Sequence, residues 1–149
     1  MPYDSVALPG LFVVRAGARA DVADIHACAR EIAAARKSQG DRLVVMLILG
    51  EETAPPDEEV RRAQAACLPE IHGHASRVLV VIEGSGFMTA IKRSALTAIG
   101  LLARGRYAYE AHTSVEEALV TRPPPELRGE GRAAFAELRR RGFVRAPVG

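Results

Sequence analysis

The motif with the clearest chemical potential is Gly84-Ser85-Gly86, which lies between an apolar run and a segment with helical spacing. Backbone N–H groups at the start of a helix can bind an anion at such a turn. The motif lacks the full Gly-x-Gly-x-x-Gly fingerprint and the P-loop lysine spacing, and Glu83 replaces the first glycine of a Gly-x-Ser-x-Gly elbow. Two glycines at a strand–helix turn usually only permit tight geometry. We therefore expect no serine catalysis, and anion binding remains a lesser alternative.

An acidic loop between Glu51 and Glu59 is the second candidate. Paired carboxylates can perform acid–base chemistry when burial separates their pKa values. These carboxylates lie beside Pro55 and Pro56, where we expect them to be solvated, which favours partner contact over catalysis. For Asp57, complementing the positive end of a helix is the simpler role.

Cys67, His72 and His74, with Glu70 between them, form the densest group of metal-ligand types. Zinc requires thiolate or imidazole ligands that converge tetrahedrally. No second cysteine pair accompanies the group, and histidines suit the negative end of a helix. We therefore expect neither a metal nor a cofactor.

The remaining cysteine, Cys28, and two isolated histidines, His26 and His112, have no evident partner in the sequence. Reduced thiols are expected for Cys28 and Cys67 rather than a disulfide. Packing in the core or at the surface is the expected role of both histidines.

A basic segment, Arg139-Arg140-Arg141 with Phe143 and Arg145, ends the chain. Such a segment can bind phosphate or anionic lipid, although arginines also suit a helix C-terminus. The chain has 20 Lys+Arg and 18 Asp+Glu, a net charge of +2. That balance does not indicate nucleic acid as a partner, and we expect none.

The 149 residues fit one domain. The longest unbroken apolar run, Leu43 to Leu49, is far shorter than the roughly 20 residues that span a bilayer. The N-terminus has no basic region followed by an apolar one, as a signal peptide would. We expect a cytoplasmic protein with no membrane span.

Apolar runs and helical spacings alternate along the chain, which predicts a single α/β domain. Four to five strands should form a mainly parallel sheet covered by helices, and Pro69 should kink or restart the second helix. This domain is predicted over residues 1–122, followed by a Pro-led linker and basic helical tail over 123–149. The predicted strands are Val6–Leu8, Leu11–Val14, Leu43–Leu49, Val78–Ile82 and Arg106–Ala111, and the last helix is Arg128–Arg141.

Four features in this order resemble the STAS domain of bacterial anti-sigma-factor antagonists and sulfate-transporter tails. They are a strand leading through Gly17 to a helix, a buried strand leading through Gly50 to an acidic loop, a turn before Ala90-Ile91-Lys92-Arg93, and the closing Thr113–Leu119 segment. The resemblance covers about Val6 to Val120. The sequence looks most similar to STAS-like bacterial proteins with no assigned role.

One departure from the family concerns phosphorylation. The antagonists carry Asp-Ser-Ser/Thr-Gly in the loop after the central strand, and its first hydroxyl residue is phosphorylated. Aligning Leu49-Gly50 places Pro56-Asp57-Glu58-Glu59 there, so the resemblance implies that the phospho-switch is absent. Asp57 carries about one negative charge against the −1.5 to −2 of phosphoserine, and would at most imitate a fixed state.

These observations predict a non-enzymatic regulatory or protein-interaction module that docks a protein partner through the loops after the central strands. The family's relation in shape to lipid-carrying α/β domains implies an alternative, a small-ligand (lipid or anion) carrier or sensor. An enzyme ranks last because no base, nucleophile and oxyanion donors converge. Self-association into a homodimer also stays open. The residues predicted to contact the partner are Glu51, Glu52, Thr53, Asp57, Gly84, Ser85 and Gly86.

Overall fold

The computed structural model describes residues 2–103, 107–127 and 129–144. Its centre is one sheet in which five strands lie side by side in sequence order. The first pair is antiparallel and the other pairs are parallel, which confirms the predicted α/β class and mainly parallel sheet. The strands are β1 (Tyr3–Leu8), β2 (Leu11–Ala16), β3 (Leu43–Leu49), β4 (Ala75–Ile82) and β5 (Glu110–His112).

The helices lie between and after these strands. A reciprocal capping box begins the first helix: Asp24 N–H donates to Asp21 Oδ1 at 2.9 Å, and Asp21 N–H donates to Asp24 Oδ2 at 2.8 Å. Gly40, with φ of 84°, ends it. The helices are α1 (Val22–Gln39), α2 (Glu58–His74), α3 (Phe87–Leu102) and α4 (Gly131–Arg140), with a π-helical turn at Glu117–Thr121 and a 3-10 turn at Pro125–Leu127.

Side chains alternate between the two faces of the sheet, and both faces are covered. On the first face, Met46 and Leu79 pack in one cluster with Leu119 and Leu138 from the C-terminal elements. On the second face, Val45 packs in a cluster with Ile32 of α1. This two-sided burial explains why β3 is an unbroken apolar run.

Of the two alternatives predicted at Pro69, the restart is wrong, because α2 continues from Glu58 to His74 as one helix; the kink stays a prediction. The predicted bounds of the last strand are also wrong. The last strand comprises only Glu110–His112, whereas Tyr107–Tyr109 are not in a strand. Part of that predicted strand, Arg106, lies outside the described residues. Within the described residues β5 pairs only with Leu79–Val81, so the first half of β4 extends beyond it.

Arg77, in that first half of β4, interacts with two carboxylates. Its Nε donates to Glu126 Oε2 at 3.0 Å, and its Nη1 donates to Glu110.

The π-helical turn meets α4 so closely that a Cβ on Gly131 would collide with the carbonyl oxygen of Leu119.

Candidate functional site

The two loops predicted to bind a partner lie side by side at the carboxyl edge of the sheet. β3 and β4 pair in parallel, and the N–H of Glu83 donates to the carbonyl oxygen of Leu49 at 2.9 Å. Gly84 has φ of 91°, and a Cβ there would lie 2.9 Å from Glu51 Cγ. The structure therefore brings together the Glu51 side of one predicted loop and the glycine turn of the other.

Arg15, at the end of β2, joins these loops to the C-terminal segment. Its side chain is only 5% exposed; Nη2 lies 2.7 Å from Glu83 Oε1 and 3.5 Å from Glu52 Oε1. Nη1 donates to the carbonyl oxygen of Phe143 at 3.1 Å. Sequence reasoning missed Arg15, although its alternation with Leu11 and Val13 was a signal that it points toward the core.

The other predicted contact residues have separate roles. Asp57 caps α2, because its Oδ1 accepts from the N–H of Val60 at 2.9 Å. Thr53 Oγ1 donates to the carbonyl oxygen of Ala16 at 3.4 Å. Ser85 and Gly86 are exposed at the start of α3, where no side chain caps the helix. These positions share one edge of the sheet but do not converge on a single point.

A cavity of about 740 Å³ lies between the second face of the sheet and helices α1, α2 and α3. Sequence reasoning did not locate it, because its walls come from four strands, three helices and the loops beside them. Most of the side chains lining it are apolar. The apolar lining includes Val14, Val45, Leu47, Leu49, Val78 and Val80 from the strands and Ile25, Ile32, Val60, Leu68, Ile71, Ala95, Leu96 and Ile99 from the helices.

Two polar side chains with buried polar atoms line the same cavity. Lys92 of α3 is 3% exposed, and its Nζ donates to the carbonyl oxygen of Gly50 at 2.7 Å. Gln64 of α2 has a buried Oε1 with no hydrogen-bond partner among the described residues. The walls therefore combine a large apolar area with one buried ammonium and one unpaired amide oxygen.

Tyr3, Cys28 and His72 also line the cavity. Burial raises the pKa of Cys28 to about 12, so its thiol is protonated at neutral pH and is a poor nucleophile. Burial and the hydrogen bond to Glu31 raise the pKa of Tyr3, and burial lowers the pKa of His72. These shifts keep all three groups uncharged near neutral pH, which suits an apolar ligand better than proton transfer.

The side chains of the metal-ligand types, Cys67, His72 and His74, contact different neighbours. Cys67 Sγ lies 3.6 Å from His26 Nδ1, and His74 Nδ1 lies 3.3 Å from Arg36, whereas the ring of His72 lies against that of Tyr107 with centroids 5.1 Å apart. In the part of the chain that the structure describes, no three metal-ligating side chains form a group. Both cysteines are free thiols.

His112 and His26 pack as expected, His112 in the core and His26 at the surface, and each also has a polar neighbour. His112 is buried, and its Nδ1 lies 3.1 Å from Glu117 Oε1. The N–H of Glu117 donates to Ser114 Oγ at 3.0 Å. This arrangement anchors the π-helical turn to the end of β5.

The basic segment is largely neutralised within its own helix. Arg141 Nε lies 2.7 Å from Glu137 Oε1, and Arg140 Nε donates to the same carboxylate at 3.0 Å. Arg139 lies over the ring of Phe135, 5.7 Å from its centroid. Arg145 lies outside the described residues. These internal contacts reduce the charge available to an anionic partner.

The chain matches no protein-family model, no curated protein and no solved structure. The STAS resemblance therefore stays a prediction. Of the helices in residues 2–103, 107–127 and 129–144, none combines the length and apolar character needed to cross a membrane.

Proposed function

We propose that this domain is a carrier or sensor that holds a small apolar ligand between the sheet and helices α1, α2 and α3. The observation that carries the proposal is the cavity of about 740 Å³ with mainly apolar walls. Protein interiors normally contain few voids larger than a water molecule, whereas small-molecule sites measure about 300–1,000 Å³. A ligand that fills this space would remove apolar wall area from water, which is the main source of its binding energy.

The position of α3 supports the same function. Ala95 and Ile99, on its buried face, line the cavity, and so do Val45 and Val80 of the sheet. The inner face of α3 therefore bounds a space instead of packing fully on the strands. Its packing partner among the helices is α2, so α3 forms an outer wall that a ligand can contact along most of its length.

The test is a fluorescence titration of the full chain with the methyl ester of cis-parinaric acid, which has an apolar chain and no charge. We expect saturable binding to the wild type. Ala95→Trp should weaken it about tenfold or more, because the indole occupies space that the ligand needs. Ala90→Trp is the matched control, since Ala90 is exposed on the same helix. The carrier function would be refuted if neither the ester nor the parent acid binds and no small molecule is extracted from the purified protein.

A protein-docking module is the second candidate, because α3 exposes an unusual amount of apolar surface beside the Gly84–Gly86 turn. Phe87 is 79% exposed and Leu101 is 76% exposed, and Met88 and Leu102 are also exposed. Exposed apolar patches often mark interaction sites. The double substitution Phe87→Ser/Leu101→Ser should abolish binding of a partner isolated from the native host. If binding survives both this change and Asp57→Ala/Ser85→Ala, the proposed docking surface is refuted.

A further inference from the structure

We propose that the ligand of this cavity is an amphipathic anion, whose carboxylate or phosphate binds Lys92 while its apolar chain fills the space beneath. The inference rests on the proposed carrier function, since it specifies the ligand class of the same cavity. It is carried by the burial, the hydrogen bonding and the position of the Lys92 ammonium.

Lys92 is a buried cation with unused hydrogen-bonding capacity. An ammonium group has three N–H donors, and one of them donates to the carbonyl oxygen of Gly50 at 2.7 Å. Within the described ranges, Lys92 forms no other hydrogen bond and no ion pair. A buried charge without a counter-charge is destabilising. An anionic group on the ligand would supply the missing acceptors and the missing charge.

The position of Lys92 fixes the orientation of the ligand. Gly50 directly follows β3, so the ammonium lies at the carboxyl edge of the sheet. From there the lining continues along β3 from Leu49 to Val45, a distance of roughly 13 Å at about 3.3 Å per residue. The cavity thus has a buried ammonium near one end and a long apolar remainder, which matches a head group followed by an aliphatic chain.

The carboxylates that also line the cavity do not provide the counter-charge. Asp21 and Asp24 are engaged in the α1 capping box, and Asp57 caps α2. Glu59 is exposed to solvent. Among the described residues lining the cavity, Lys92 is the cation that is buried, whereas Arg19 is exposed. The buried electrostatics of the cavity therefore favour a negative ligand.

The test compares cis-parinaric acid with its methyl ester, since the two ligands share a chain and differ in the charge of the head group. The wild type should bind the acid about tenfold or more tightly than the ester, as expected for a buried charged hydrogen bond. Lys92→Met should remove this preference without weakening the ester. Arg93→Met is the matched control, because it removes a neighbouring cation that is exposed on the same helix.

Competition with palmitate and with palmitoyl lysophosphatidic acid distinguishes a carboxylate from a phosphate head group. Lys92→Arg, which keeps the charge, should retain the preference for the acid. The comparison of the two ligands on the wild type remains valid even if a variant does not fold. If acid and ester bind the wild type equally, or if folded Lys92→Met still prefers the acid, the inference is overturned while the carrier function stands. If neither ligand binds, the carrier function itself fails.

Discussion

Replacing Arg15 with methionine tests whether one buried guanidinium holds the carboxyl edge of the sheet together. Methionine keeps most of the aliphatic stem but removes the charge and the donors. The lost contacts are the 2.7 Å ion pair with Glu83 and the 3.1 Å hydrogen bond to the Phe143 carbonyl, with a weaker 3.5 Å contact to Glu52. The substitution therefore removes the contacts of Arg15 with Glu83, Glu52 and Phe143, which lie in three different segments, without opening a large cavity.

The expected loss follows from these contacts. A hydrogen bond to a charged group contributes about 1.5–3 kcal/mol and a neutral one about 0.5–1.5 kcal/mol. Removing a buried ion-pair partner can cost about 3–5 kcal/mol, but the Glu83 side chain is 21% exposed and recovers part of its hydration. We expect Arg15→Met to lower the free energy of unfolding by about 2–4 kcal/mol, a fall in Tm of roughly 4–16 °C.

Urea denaturation followed by circular dichroism measures this loss, and Arg62→Met is the matched control. Arg62 also forms a 2.7 Å ion pair, with Glu58, but the two side chains are 70% and 68% exposed. Its replacement should change the free energy of unfolding by about 0.5 kcal/mol or less. Adding Glu83→Gln to Arg15→Met should recover part of the loss, because the uncompensated carboxylate disappears. Equal stability of the Arg15 and Arg62 variants would refute the reasoning.

Three further outcomes are expected. Gly131→Ala should destabilise the fold by about 1–3 kcal/mol in urea denaturation, since its Cβ collides with the Leu119 carbonyl, whereas the Cβ of Gly73→Ala in α2 would meet no atom within 4 Å; equal losses would contradict this. In a Cys67→Ser background, Cys28 should react with a disulfide reagent about a hundredfold or more slowly than in the urea-unfolded chain, because burial raises its pKa to about 12; a similar rate in both states would show that the thiol is accessible. Hydrogen bonds lower the folded-state pKa values of Glu117, Glu126 and Glu137 from 4.5, that of Glu137 to about 2, so their contribution to stability is present above pH 4.5 and is lost as pH falls toward 2. Glu126→Gln should therefore reduce the fall of the urea midpoint with decreasing pH. An unchanged dependence of the midpoint on pH would contradict the assignment to the bonds between Glu126 and Arg77.

Local patterns predicted the fold because the decisive signals lie within short segments. The unbroken apolar run Leu43–Leu49 is one such signal, and the structure shows it as the strand β3. The short β5 departs from prediction because only Glu110–His112 reach the edge of β4. A strand's polar end gives no local sign of where pairing stops.

The site was less predictable because its parts are distant in the chain. Arg15 contacts residues 37, 68 and 128 positions away, so no window of sequence contains them together. The cavity depends on how far α3 stands from the sheet, which helical periodicity does not encode. Lys92 and Arg93 are adjacent basic residues in the sequence, and only the fold distinguishes the buried ammonium of Lys92 from the exposed Arg93.

The short β5 affects how the domain avoids aggregation through the edge of its sheet. Among the described residues, no strand pairs with the first half of β4 on the β5 side, and an unpaired strand edge is a template for intermolecular aggregation. Arg77 stands on this stretch and binds Glu126 and Glu110. This charged cluster acts as a gatekeeper, because a foreign strand would have to displace it before it could add to the sheet.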